Sequence, residues 1–199
     1  GKLSGRIRNF NVGSLIIRQD NDSTTGVDAR DIFVGRATVN VLAESFLGGI
    51  VTLGDPQSNL DSTLIGADFN YRNSRLRNGR IIAAHAWYQQ TDTEGLTDDN
   101  RAYGFGLGAP NADAWRGEFA YKRIEENFDP AVGFVNRTGI QDFALDFGYR
   151  RRFNSGGFLR SVYGGFDGYR AETLNDGNVS SQTVGLRLTG ENNTGENIR

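Results

Sequence analysis

A chain of 199 residues with 27 glycines, 3 prolines, no cysteine, no methionine and a formal net charge of −2 is long enough for one all-β domain or small barrel, and too short for two comfortable domains. The missing cysteines exclude disulfide frameworks, Cys-ligated metal sites and thiol catalysis. No apolar run approaches the ~20 residues of a transmembrane helix, the longest being pieces such as GSLII and RIIAAHAW.

Residue types alternate with a period of two almost throughout, and no stretch keeps a helical face over three turns. The alternation predicts about ten strands, near 3–18, 31–42, 46–54, 62–72, 79–90, 101–109, 114–124, 141–151, 157–170 and 179–189. Most exceed the five or six residues usual in soluble sheets and approach the ~9–11 of a tilted strand crossing a bilayer. The chain opens directly on strand-like sequence, GKLSGRIRN, with no charged and then apolar leader. That points to a removed signal or to part of a longer polypeptide.

Parity separates two faces. In 114–124, Trp115, Phe119 and Tyr121 oppose Arg116, Glu118 and Lys122. In 141–151, Phe143, Leu145, Phe147 and Tyr149 oppose Asp142, Asp146 and Arg150. Strand 101–109 sets Tyr103, Phe105 and Leu107 against Gly104, Gly106 and Gly108, and 179–189 sets Val184, Leu186 and Leu188 against Thr183, Gly185 and Arg187. Such strands suit a sandwich, with the apolar face against a second sheet. They equally suit an outer-membrane barrel, with that face against lipid and the polar face on a wet lumen.

The connections favour the barrel. Long segments (19–30, 55–61, 91–100, 125–140, 171–178) alternate with short ones (43–45, 73–78, 110–113, 152–156), as external loops alternate with periplasmic turns. The long segments carry most of the acids, among them Asp22, Asp55, Asp98, Asp99, Glu125, Glu126, Asp129 and Asp176. The short side carries Arg72, Arg75, Arg77, Arg80 and Arg150 to Arg152. Aromatics such as Tyr71, Trp87, Tyr88, Trp115, Tyr149 and Tyr163 lie toward strand ends, as interfacial girdles do.

Nothing in the sequence converges on catalysis, and no enzyme activity, cofactor or metal is expected. The single histidine, His85, sits between Ala84 and Ala86 with no partner imidazole or thiol. GFGLG at 104–108 is followed by Pro110 and Asn111 rather than by a helix, so it is not a dinucleotide fingerprint. TDTEGLTDDN at 91–100 lacks the spacing of an EF-hand loop. The polar face as a set, Arg36, Asn40, Asp68, Asn70, Arg116, Glu118, Lys122, Asp142, Asp146, Arg150 and Arg187, is expected to line a lumen, with both signs interleaved and no strong ion selectivity. Trp115, Phe119, Tyr121, Phe143, Leu145, Phe147 and Tyr149 are the expected lipid-facing side chains.

At residues 114–140 the string AWRGEFAYKRIEENFDPAVGFVNRTGI resembles a family of uncharacterised Gram-negative outer-membrane proteins. In that family a carbohydrate-binding-type, family-nine-like β-sandwich precedes a C-terminal β-barrel. Phe128, Asp129, Pro130, Gly133, Phe134, Val135 and Arg137 match the family pattern, and Asn136 stands where a proline is usual. The openings GKLSGRIRNFNVGSLIIRQD and FVGRATVNVLAESFLGGIVT resemble its first barrel strand and following hairpin, and the resemblance spans most of residues 1–153. It implies a barrel in a Gram-negative outer membrane and glycan-related work by a domain this chain lacks, and it supplies no catalytic residues. Family barrels exceed ten strands and ENNTGENIR lacks a terminal aromatic, so residues 1–199 are expected to be one barrel segment of a larger barrel.

The expected function is therefore a passive or plugged channel, or an anchor for an exported glycan-binding domain. Its expected partners are outer-membrane lipid, lipopolysaccharide and glycans, with no nucleic acid. A soluble secreted β-sandwich or lipocalin-like binder is the alternative. Phe128, Asp129, Pro130, Gly133 and Phe134 are candidate gate residues in the segment 125–140, with Phe128 and Phe134 folding inward over the lumen. Phe147→Arg is expected to be costly in a bilayer and Asp146→Arg mild.

Overall fold

Alternation at period two becomes strand over most of the chain. The computed structural model describes residues 1–153 and 157–198. Its strands are β1 (Lys2–Ile7), β2 (Phe10–Gln19), β3 (Arg30–Asn40), β4 (Phe46–Leu53), β5 (Ser62–Asn73), β6 (Ile82–Thr93), β7 (Arg101–Ala109), β8 (Ala114–Ile124), β9 (Ile140–Arg152), β10 (Leu159–Thr173), β11 (Val179–Asn192) and the short β12 (Asn197–Ile198). Among the described residues the one helical element is a 3-10 turn, Arg77–Gly79, with Asn78 left-handed at φ 66°. Strand order along the sheet follows order along the chain, in an antiparallel up-and-down arrangement. The first and last strands do not pair with each other, so the sheet is not closed.

The strand expected at 3–18 is a hairpin. Ile7 pairs with Phe10, and Arg8 turns the chain with φ 54°. The sequence IRNF hides this turn because it carries no glycine or proline, and apolar residues alternate straight through it. Other boundaries move by a few residues, and β9, β10 and β11 reach 13, 15 and 14 residues. Connection lengths alternate less strictly than expected: 54–61 and 74–81 are equal, 94–100 is shorter than either, and 125–139 is much the longest loop. Most of the short turn expected at 152–156 lies outside the described residues.

The chain divides into two compact units whose boundaries fall within β5, β6, β7 and β8 and at the start of β9. The first comprises Gly1–Tyr71, His85–Gly104 and Arg123–Ile140. Its buried cluster is Leu64, Ala102 and Phe128, with Ile50, Trp87, Ile124 and Val135 packed against it. The second comprises Arg72–Ala84, Phe105–Lys122 and Gln141–Arg199. There Tyr163, 5 % exposed, lies over Gly148 and Gly165, where any added Cβ would strike its phenol ring.

Candidate functional site

Burial in the second unit runs opposite to that of an ordinary soluble sheet. Along β9 the polar-face residues Asp142 and Gly148 are buried, while Phe143, Leu145, Phe147 and Tyr149 are 37–48 % exposed. In β11, Val184, Leu186 and Leu188 are more exposed still, at 63, 87 and 72 %. Aromatic rings form two clusters on this face. Trp115 stacks on Phe147 with centroids 5.2 Å apart and meets the edge of Tyr149 at 4.8 Å. Tyr121 lies 5.0 Å from Phe143 and 5.5 Å from Phe105, which also meets Phe119 at 6.0 Å. Trp115 is exposed, whereas Phe119 and Tyr121 are half-buried by these neighbours. Between the rings lie two shallow apolar grooves of about 280 Å³ each, one lined by Ile82, Leu107, Phe119 and Phe147, the other by Phe119, Phe143, Phe166 and Val184.

The opposite face holds paired charges. Lys122 Nζ sits 3.0 Å from Asp142, Arg116 Nε 3.8 Å from Asp146, and Arg187 reaches both Asp146 at 4.0 Å and Asp167 at 3.3 Å. Asp167 had no special mark in the sequence beyond its parity. Arg150 lies over the Tyr163 ring, 5.5 Å from its centroid. Glu118 is exposed and forms no ion pair among the described residues.

The first unit repeats the pattern. Ile65 is 54 % exposed between buried Leu64 and half-buried Gly66, and Leu47 and Leu53 are exposed on the same side as Ile65. On the polar side Arg36 Nη2 reaches Asp68 at 2.8 Å, and Asn70 Nδ2 donates to the same carboxylate at 3.0 Å. This pair crosses from β3 to β5 over Gly48 of β4, where an added Cβ would collide with both the Asp68 carboxylate and the Arg36 guanidinium. Gly48→Ala is thus expected to push the two side-chain ends apart and weaken the ion pair, a cost within about 1 kcal/mol at this partly exposed position. Chemical denaturation checks it, with Gly49→Ala as the control, since the nearest atom to a Cβ there is 3.8 Å away. Asn40 stands apart from this group, exposed, its carbonyl accepting from Asn9 Nδ2 at 3.2 Å.

Loop 125–139 folds onto the polar side of the first unit. Glu125, 8 % exposed, accepts the Arg101 N–H at 3.0 Å. Asn127 N–H donates to the Asp99 carbonyl at 2.9 Å, and its side-chain amide donates to the carbonyls of Thr97 and Asp98, each at 3.2 Å. Asp129 N–H donates to the hydroxyl of Thr91, itself 1 % exposed. Pro130 and Gly133 close a turn through a 2.7 Å backbone bond. Phe128 is 4 % exposed inside the Leu64 and Ala102 cluster, whereas Phe134 is 86 % exposed. Of the two candidate gate phenylalanines, Phe128 packs into this cluster and Phe134 does not. Trp87, expected in an interfacial girdle, packs against this cluster instead.

Several acids of the long connections serve their own turns. Asp55 accepts from the Gln57 N–H and the Ser58 hydroxyl. Asp176 accepts the Thr173 hydroxyl and the Asn178 N–H, and these bonds hold its carboxyl below the usual range. Its contribution is full above the ordinary aspartate range and is lost as pH falls through its depressed value. Acidification is therefore expected to loosen the 174–178 turn, and a shift of the Asn178 amide resonance with a midpoint below that of a free aspartate checks it. Among the described residues no group of three or more His, Cys, Asp or Glu side chains is placed to hold a metal ion. His85 is exposed in β6.

The chain matches no known protein family, curated protein or solved structure. The geometry therefore carries the functional argument: an exposed aromatic face, an opposite face of paired charges, and one loop anchored by Phe128.

Proposed function

We propose that this chain is a transmembrane segment of a bacterial outer-membrane β-barrel, acting as a plugged or passive channel or as the anchor of an exported glycan-binding domain. The observation that carries the reading is the reversed burial of β9, where Phe143, Leu145, Phe147 and Tyr149 are exposed while Asp142 is 8 % exposed. Water is a poor solvent for such a face, and exposed apolar patches of this kind mark membrane or partner contact. A bilayer accepts it, and the charged face then borders water in the lumen. Strands of 11 to 15 residues in β8 to β11 are long enough to cross ~25–30 Å of hydrocarbon at a tilt. Oppositely charged neighbours along the polar face suit a lumen wall, and Phe128 at the end of β8 suits a plug.

Purification tests this directly. The chain is expected to be monodisperse in detergent micelles and to aggregate when detergent is withdrawn. A folded, monodisperse chain in plain buffer sinks the membrane reading and favours a soluble binder. Planar-bilayer recording then separates channel from anchor: steps of conductance support a pore, and silence across voltages and salts leaves the anchor.

A further inference from the structure

On the polar face of the second unit, Arg116, Lys122 and Arg187 have carboxylate partners and, among the described residues, Arg150 has none. Asp146 is shared by Arg116 at 3.8 Å and Arg187 at 4.0 Å, loose contacts beside the 3.0 Å of Lys122 and Asp142. Arg150 has no carboxylate within ion-pairing distance among the described residues, and its Nε is buried without an acceptor. Buried donors of this kind are nearly always partnered, and the exceptions call for an explanation.

Tyr163 supplies a floor. Its phenol end lies against the backbone of Gly148 and Gly165, so one ring face is blocked by the sheet. Arg116 and Arg150 both gather over this ring, their Cζ atoms 5.8 and 5.5 Å from its centroid. Each cation–π contact is favourable, but two like charges over one ring repel, and Asp146 reaches Arg116 alone of the two. An anion seated between the guanidinium groups removes the repulsion and fills the empty donors. Guanidinium forks match the oxygen spacing of phosphate and carboxylate.

We infer that Arg150 and Arg116, over Tyr163, form a binding site for a small free oxyanion of the phosphate class. The site lies on the face opposite Phe143, Leu145 and Phe147, away from lipid headgroups if those side chains meet lipid. In that reading, on which this consequence rests, the site biases the lumen toward anions, as arginines do in phosphate-conducting pores.

The test is calorimetric titration of inorganic phosphate into the 199-residue chain in uncharged detergent micelles at low chloride. Saturable 1:1 uptake is expected, weakened by about tenfold or more in Arg150→Gln. Arg151→Gln removes a charge from the adjacent position on the other face and is expected to stay within about twofold. Where Arg150→Gln does not fold, Arg150→Lys keeps the charge but loses the fork, and a several-fold loss is expected. Absence of saturable uptake by the wild type overturns the site, as does equal weakening by the substitutions at 150 and 151. Phosphate uptake by a chain that conducts no current supports the site while removing the channel reading. Conductance without phosphate uptake does the reverse.

Discussion

Phe147→Arg destabilises the chain in a bilayer by about 2–4 kcal/mol if residue 147 lies near the midplane, the depth-dependent cost of a lipid-facing arginine in a barrel. In water the same change is close to neutral, because Phe147 is already 48 % exposed and gives up mainly its stacking on Trp115. The two solvents thus predict different outcomes for one substitution. Reversible unfolding in lipid vesicles measures it, with Thr183→Arg as the partner variant on the face shared with Arg187. Thr183 is exposed and its face is polar, so its replacement is expected to cost within about 1 kcal/mol. Equal tolerance at 147 and 183 means that the apolar face does not meet lipid. Asp146→Arg, which parity alone marks as mild, is the wrong control. It would set a third guanidinium against Arg116 and Arg187, both of which now share that carboxylate.

That reversal shows where sequence reasoning ends. Parity found the two faces of β8, β9 and β11 because side chains alternate strictly across a strand, whatever covers either face. It could not tell which face is exposed, since lipid and a second sheet demand the same alternation. Cross-strand partnerships escaped it for a different reason. The meeting of Arg36 with Asp68 depends on register and on the missing side chain of Gly48, and Asp167 joins Arg187 because of a pairing that sets Gly185 opposite Asp167. The hairpin at Arg8 was invisible because a non-glycine residue takes positive φ there. Tyr163 looked like a girdle aromatic from its place near a strand end, yet Gly148 and Gly165 give it a bed on the polar side.

Phe128→Ala loosens the loop 125–139 by about 3–5 kcal/mol, the usual cost of emptying a buried phenylalanine site. Phe134→Ala, at an 86 % exposed position, stays within about 0.5 kcal/mol. The contrast follows from what else holds the loop. Asn127, Asp129 and Glu125 tie it to residues 91–101 by hydrogen bonds, each worth about 1 kcal/mol net. Those bonds fix where the loop lies, and the aromatic anchor adds a contribution of comparable size. Trp87, packed against the same cluster, reports the change. In a Trp115→Phe background its emission shifts to the red in Phe128→Ala and stays put in Phe134→Ala. A red shift accompanied by larger single-channel conductance identifies the loop as the constriction of an open barrel. A red shift with unchanged silence makes the loop a lid on a barrel that serves as an anchor. An unshifted emission means that Phe128 does not hold the loop in place, and the gate reading of 125–139 then falls.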